Sequence, residues 1–251
     1  MDGRVIPPHV QDAWASRRAE ALGHQLARAG APPIAAIVFD AYGTLFDVRS
    51  VEAACARLTP HGEAFAALWR AKQLEYTWLR TLMGAYVPFE QVTAEALDYA
   101  LRRYDLAPGE DERRDLLAAW LALEPFPDVP SALARLDDWP LAILSNGSPA
   151  MLEPLLRNSG LADAFRLVLS VDPVEAYKPD PRVYALPPAA LGVDASAILF
   201  VSANPFDVIG AGHYGYQVAW CNRGGLPLDT HGPAPDLELR GLQQLPDALG
   251  R

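Results

Sequence analysis

Five short apolar runs, Ile34 to Phe39, Leu141 to Leu144, Leu167 to Leu169, Ile198 to Val201 and Val218 to Trp220, constrain this chain more than any other feature. The first four stop abruptly at polar side chains, Asp40, Ser145, Ser170 and Ser202. Continuous apolar runs of this length, without alternation, belong to strands buried on both faces, and such strands are parallel ones covered by helices. Helical stretches separate the later runs, so βαβ units and a parallel, Rossmann-like α/β sheet are expected. Hydrophobic residues make up 51% of the chain and charged residues 21%, which is enough apolar surface to cover such a sheet. At roughly 150 residues per domain, 251 residues leave room for one large domain or a core with a smaller partner.

The runs are unevenly spaced. About a hundred residues separate the first from the second, and most of that interval is helical in pattern. Glu63 to Met83, Phe89 to Tyr104 and Asp111 to Leu123 mix apolar and charged residues at helical spacing, punctuated by Pro88 and Pro108-Gly109. The expected organisation is an α/β core of residues 31–47 and 128–251, with a helical cap, 48–127, inserted after the first strand. Residues 9–29 are rich in helix formers and end at the GAPP stretch of Gly30 to Pro33, so residues 1–30 are expected to form an appended helical extension.

Several function classes are excluded early. Thirty-one acidic against 21 basic residues give a net charge of −10, which repels nucleic acid and anionic headgroups over most of the surface. Cys55 and Cys221 stand far apart without a CxxC pattern, and are expected to be reduced thiols. His9, His24, His61, His213 and His231 have no ligand spacing. No apolar run approaches the roughly 20 residues of a membrane span, and the first 30 residues lack the apolar core of a signal peptide, so the expected location is cytoplasmic.

In an open α/β sheet, ligands collect beyond the carboxyl ends of the strands. There this chain places Asp40 to Thr44, Ser145 to Ser148, Ser170 followed by Lys178, and Ser202 to Asp207. Four segments with polar groups would therefore converge on one crevice. With their spacing around a helical insert, DAYGTLFDV (40–48), LSNGSP (144–149), YKPD (177–180) and FVSANPFD (200–207) resemble the L-2-haloacid dehalogenases of the haloacid dehalogenase superfamily. The likeness spans about residues 34 to 223 and includes WRAKQLEYTWLR at 69–80 within the insert.

Taken alone, an Asp after a strand is often a turn or cap residue. Its neighbours here favour a nucleophile: Gly43 permits the sharp turn that lifts the carboxylate, Thr44 offers a hydroxyl to orient it, and Lys178 supplies the cation that keeps it ionised. In the superfamily's phosphatases the position two residues on is a second Asp that acts as general acid; here it is Tyr42. With Ser202, Asn204 and only Asp207 in the last motif, a magnesium ion would find few anionic ligands. The site is expected to be metal-free and to need no cofactor. A halide leaves without a proton, so the missing acid does no harm.

The resemblance implies the remaining roles. Asp40 attacks the Cα of a small halogenated carboxylic acid, and Arg70, Asn146 and Phe206 receive the halide; without the motif, Arg70 would be a solvated helix arginine. Water then opens the Asp40 ester, with Asp207 as base, placed by Ser202 and Asn204, and Lys178 beside the anions. Ser145 and the amide groups near Ala41 and Tyr42 clamp the substrate carboxylate. Tyr42, Leu74, Phe89 and Phe206 form an apolar wall, and Tyr184 supports Lys178 or that wall; core packing is an equally open role for each aromatic. Two alternatives stand beside this reading: a magnesium-dependent phosphatase of the same fold, and a non-catalytic protein that keeps the fold for partner binding. Families of this kind are often dimers, and a homodimer is carried as an open option.

Three features depart from the pattern: the N-terminal extension, Pro187-Pro188 in the helix expected after Lys178, and Pro205, which stiffens the last motif. Ser148-Pro149 fits a helix N-cap followed by a first-turn proline.

Overall fold

The computed structural model describes residues 32–251. The proposed extension, residues 1–30, lies outside them. Six strands form one parallel sheet: β1 (Ala36–Phe39), β2 (Leu141–Ser145), β3 (Leu167–Ser170), β4 (Ile198–Ser202), β5 (Gln217–Cys221) and β6 (Leu237–Leu239), in the order β3-β2-β1-β4-β5-β6. Every residue of β1, β2, β4 and β5 is buried, as continuous apolar runs require. The edge strand β6 was not legible in the sequence. Its three residues, Leu-Glu-Leu, alternate buried and exposed and sit in a polar, proline-containing stretch.

Between β1 and β2 the chain runs through α1 (Ser50–Leu58), α2 (Gly62–Met83), α3 (Phe89–Arg103), α4 (Glu110–Ala118) and α5 (Val129–Ala134). The helix expected to continue to Leu123 gives way at Ala119 to a single 3-10 turn, and α1 was not anticipated. Trp69, Phe65 and Trp120 stack edge to face to make the interior of the insert, with centroids 6.4 and 5.6 Å apart. The chain leaves and re-enters the sheet layer through adjoining segments. Asp47 N donates to Glu124 O at 2.8 Å, and Phe126 N donates to Leu45 O at 2.9 Å. A second tie joins insert to core, where the Tyr177 hydroxyl donates to the Val87 carbonyl at 2.6 Å and Tyr86 donates to Asp172.

The remaining helices are α6 (Pro149–Asn158), α7 (Pro181–Tyr184), α8 (Leu186–Leu191), α9 (Pro205–Tyr214) and α10 (Gln244–Ala248). Pro187-Pro188 acts as expected, because the helix after Lys178 is cut into α7 and α8, with the prolines in the first turn of the second piece. Pro205 does not disturb its loop. It opens α9, where its missing N–H costs nothing, with Asn204 at the N-cap position. Cys55 and Cys221 are both free and fully buried. No helix among the described residues is long and apolar enough to cross a membrane.

Ser148 occupies the N-cap position of α6, and Pro149 its first turn, but the serine hydroxyl makes no capping bond and is buried without a hydrogen-bond partner. Ser148→Ala should therefore change stability by less than about 0.5 kcal/mol, rather than the ~1 kcal/mol lost with a working cap. Urea unfolding of the two proteins measures this, and a loss above about 1 kcal/mol would show that the hydroxyl is satisfied after all.

Candidate active site

The strand order reverses between β1 and β4, and ligands bind at such a switch point. Phe39 pairs with Val201, so the residues that follow, Asp40 and Ser202, emerge side by side at the carboxyl edge. Gly43 turns the chain back at once with φ +87°, a conformation that side chains rarely adopt, and this leaves the Asp40 carboxylate facing the crevice.

Three side chains hold that carboxylate. Thr44 Oγ1 and Asn204 Nδ2 donate to Oδ2 at 2.9 and 2.8 Å, and Lys178 Nζ donates to Oδ1 at 3.0 Å. The donors are themselves placed. Thr44 Oγ1 accepts from Ala203 N at 2.9 Å, and Asn204 Nδ2 also reaches the Tyr42 carbonyl at 3.0 Å. Ser202 Oγ accepts from Asn204 N at 3.1 Å, which shapes the turn that carries the amide.

Lys178 Nζ also donates to Asp207 Oδ2 at 2.9 Å, so one ammonium joins two carboxylates. Only 1% of Lys178 is exposed and none of Asp207. Burial alone would lower the lysine pKa, but Asp207 and Asp40 outweigh it and hold the group above its ordinary value. Burial pushes Asp207 up to about 6, against the pull of Lys178. The Tyr184 hydroxyl donates to Asp207 Oδ1 at 2.7 Å, and burial followed by the charge of Asp207 keeps that phenol protonated. Under the ammonium lies the Phe200 ring, 5.0 Å away, and behind it the rings of Tyr184 and Tyr216, which exclude water.

Two anticipated contacts differ in detail. Asn204 does not place the Asp207 side chain; it serves Asp40 and touches Asp207 only through the backbone bond that opens α9, because Lys178 and Tyr184 use the carboxylate oxygens of Asp207. Tyr184 reaches Asp207 rather than Lys178, and it is fully buried, because Gly210 lets α9 approach so closely that a β-carbon there would lie 2.6 Å from the phenol oxygen.

The other candidates surround the crevice. Ser145 ends β2 and accepts from Gly147 N at 3.0 Å, while Asn146 Oδ1 accepts from Lys178 N at 3.0 Å. Ala41 and Tyr42 are buried in the turn after β1. The Tyr42 ring lies 5.6 Å from Phe89 and 6.1 Å from Trp120. Arg70 comes from α2, with its guanidinium 5.8 Å from the Trp120 ring centre. It keeps some solvent contact along the crevice but is enclosed by protein, and burial lowers it to about 10, with Asp40 pulling the other way. Leu74 is half-buried one turn further along the same helix, and Phe206 packs on Trp78 at 5.4 Å. Trp78 and Trp120 escaped the sequence reading. Trp78 lies in the 69–80 motif, where its spacing from Arg70 and Leu74 could have drawn attention to it.

A divalent ion does not fit these residues. Asp40 and Asp207 share an ammonium that already offsets them, Ser202 and Asn204 are neutral, and Tyr42 stands at the second acidic position of the superfamily's phosphatases. Among the described residues no three His, Cys, Asp or Glu side chains gather to hold a metal.

Comparison with known proteins agrees with the sequence motifs. The model of the haloacid dehalogenase-like hydrolases matches residues 34–215. An (S)-2-haloacid dehalogenase of Pseudomonas sp. (strain YL) is 48% identical over 213 residues, 84% of this chain and 92% of the relative. Haloacetate dehalogenase H-2 of Moraxella sp. (strain B) is 48% identical over 206 residues, 81% of this chain and 92% of that one. The L-2-haloacid dehalogenase of Xanthobacter autotrophicus, solved with chloropropionic acid covalently bound, superposes with a TM-score of 0.79 at 44% identity, covering 85% of this chain and 97% of its own. With a match over most of its length, and an aspartate, lysine and aspartate joined at the switch point of a parallel sheet, this chain belongs to the haloacid dehalogenase-like hydrolase family.

Proposed function

We propose that this protein is a hydrolase of carbon–halogen bonds, which converts small 2-haloacids such as chloroacetate and L-2-chloropropionate to 2-hydroxy acids with inversion, through an ester on Asp40. One observation carries the reading: the Asp40 carboxyl group held by Lys178, Thr44 and Asn204, with Tyr42 where a phosphatase would keep its proton donor. The names of the relatives and the covalently bound chloropropionic acid of the Xanthobacter structure support it.

In the first step an Asp40 oxygen bonds to the substrate Cα, and the halogen leaves as halide with its bonding pair. Oδ2 has two hydrogen-bond donors and Oδ1 one, so Oδ1 keeps the freer lone pairs. Ser145 and the amides near Ala41 and Tyr42 bind the substrate carboxylate, and Arg70, Asn146 and Phe206 receive the halide. Tyr42, Leu74, Phe89 and Phe206 keep bulk water away. Water next adds to the Asp40 carbonyl carbon, giving its proton to Asp207. With Oδ1 bonded to the substrate, the oxyanion forms on Oδ2 and meets the Thr44 and Asn204 donors already assembled, each such donor worth roughly 3–4 kcal/mol. It collapses by breaking the bond between the Asp40 carboxyl carbon and Oδ1. Oδ1 leaves as the product hydroxyl with the proton returned by Asp207, and Asp40 gives up its remaining proton to solvent. No cofactor takes part. The insert, 48–127, acts as a cap over a core of 31–47 and 128–251, as the adjoining of its two ends at Asp47 and Glu124 supports. A cytoplasmic homodimer completes the reading, with Leu79, Leu82 and Met83 offering an exposed apolar face near the end of α2.

The decisive experiment is halide release by the purified protein with a chelator present. Asp40→Asn should abolish it, and a single turnover in heavy-oxygen water should label the peptide containing Asp40. Activity only with magnesium and a phosphate ester, or label appearing in the product alone, would overturn the reading.

The electrostatics give two further expectations. Ester hydrolysis needs ionised Asp207, so its rate should fall on the acid side around pH 6, and Tyr184→Phe, which removes a donor to the charged form, should move that limb to higher pH. A limb that stays put or moves down would show that Asp207 is not the base. Lys178→Met strands two buried carboxylates and should cost about 3–5 kcal/mol at neutral pH. Lys178 pulls the Asp207 pKa down, so without the lysine that carboxyl takes up a proton at higher pH in the folded state, and the deficit shrinks as the pH falls below neutrality. Urea titrations at several pH values measure this, and a deficit independent of pH would contradict it.

A further inference from the structure

Arg70 is held by a file of hydrogen bonds, part-buried at the guanidinium and buried behind it, that the chemistry above leaves unexplained. Its Nη1 donates to Gln73 Oε1 at 2.6 Å, Gln73 Nε2 donates to Thr93 Oγ1 at 2.7 Å, and Thr93 Oγ1 donates to the Phe89 carbonyl at 2.7 Å. Gln73 is fully buried and Thr93 is 2% exposed, so no water can stand in for either. The backbone of Thr93 is gripped as well, its carbonyl accepting from Trp69 Nε1 at 2.8 Å.

The direction of this file is determined. The Thr93 hydroxyl has one proton, and that proton goes to Phe89 O, so towards Gln73 it can only accept. Gln73 must then present its NH2 to Thr93 and its oxygen to Arg70. Turning the amide over would set NH2 against the guanidinium and leave a buried donor facing another, at a cost far above that of an ordinary surface contact. The guanidinium is thus fixed by a neutral acceptor. Among the described residues no carboxylate forms a salt bridge with Arg70, whereas Arg80, Arg113 and Arg223 each have one. An acidic partner would orient the group equally well but cancel the charge a departing anion needs. An amide orients it and leaves the charge intact.

We propose that Gln73 and Thr93 are positioning residues for carbon–halogen cleavage, forming a relay from the Phe89 carbonyl that aims the Arg70 guanidinium at the departing halide. The relay rests on the reading that Arg70 receives the halide. It also ties that cation to Phe89, whose ring packs against Tyr42, so one file of bonds sets both the charge and part of the apolar wall. Because the Arg70 guanidinium is enclosed by protein, an N–H that loses its Gln73 acceptor is left unpaired in this orientation, and the group turns away from it.

The test is rapid-quench measurement of ester formation and ester hydrolysis on L-2-chloropropionate in Gln73→Leu, Thr93→Val, Thr93→Ser, Arg70→Ala and the double variant Arg70→Ala/Gln73→Leu. Gln73→Leu should slow ester formation by about 10–100-fold and Thr93→Val by about 10-fold, with ester hydrolysis and KM within about 2-fold of the parent. Thr93→Ser, which keeps the hydroxyl, should restore the rate. In the Arg70→Ala background Gln73→Leu should add less than about 2-fold, because a residue acting through Arg70 has nothing left to aim. Parental ester formation in both Gln73→Leu and Thr93→Val, with Arg70→Ala slow, overturns the relay alone, and so does an additive loss in the double variant. Parental ester formation in Arg70→Ala instead removes Arg70 from the leaving-group site, and the relay falls with it. If Gln73→Leu does not fold, the Val and Ser variants at position 93 decide the matter by themselves.

Discussion

One buried ammonium holds the centre of this molecule together. Lys178 joins Asp40 and Asp207 at 3.0 and 2.9 Å, deep enough that neither the lysine nor Asp207 meets bulk solvent. Burial, with the charge of Asp40 adding to it, raises the pKa of Asp207 against the pull of the shared ammonium. The remaining parts of the site make the arrangement tolerable. Thr44 and Asn204 complete the shell of Asp40, and Tyr184 that of Asp207. The ladder of β1 and β4 brings the two acids to the same edge. Such clusters are poor investments in stability, since packed apolar side chains would serve as well, and they mark places where chemistry requires charge.

Core and insert divide the work by what each can deliver. The strand ends are rigid because every residue of β1 and β4 is buried and paired, and the segments that follow them carry Asp40 and the groups bonded to it. From the insert, Arg70 and Phe89 approach the same turn. A long helix such as α2 is a suitable carrier, since side chains at positions 70, 73, 74 and 77 share one face. Phe206, on the core, meets Trp78, on the insert, so the apolar enclosure is built from both sides.

Much of this was legible in the residues. The apolar runs predicted five of the six strands, and the order of polar groups after them predicted which side chains would gather. Tyr42, two positions beyond Asp40, argues against phosphoryl chemistry in the sequence itself. What escaped has physical reasons. The strand β6 is three residues long and alternates, so no window separates it from loop. Ser148 had the sequence of an N-cap, but its buried hydroxyl makes no capping bond, an outcome that depends on side-chain orientation and not on residue type. The partner of Tyr184 could not be read, since Asp207 lies 23 positions away, much farther along the chain than Lys178, and only the approach of α9 across Gly210 brings it to the phenol.

The sequence by itself determined five strands of the sheet and the helical character of the insert, because burial patterning is a local property carried by each segment, and its motifs carried the resemblance from which the reactive groups are proposed. Only the tertiary structure decided who bonds to whom: that Asn204 serves Asp40, that Tyr184 serves Asp207, and that Gln73 and Thr93 stand behind Arg70. Hydrogen bonds depend on distances of a few tenths of an ångström between residues up to 164 positions apart, and only the packed fold fixes such distances.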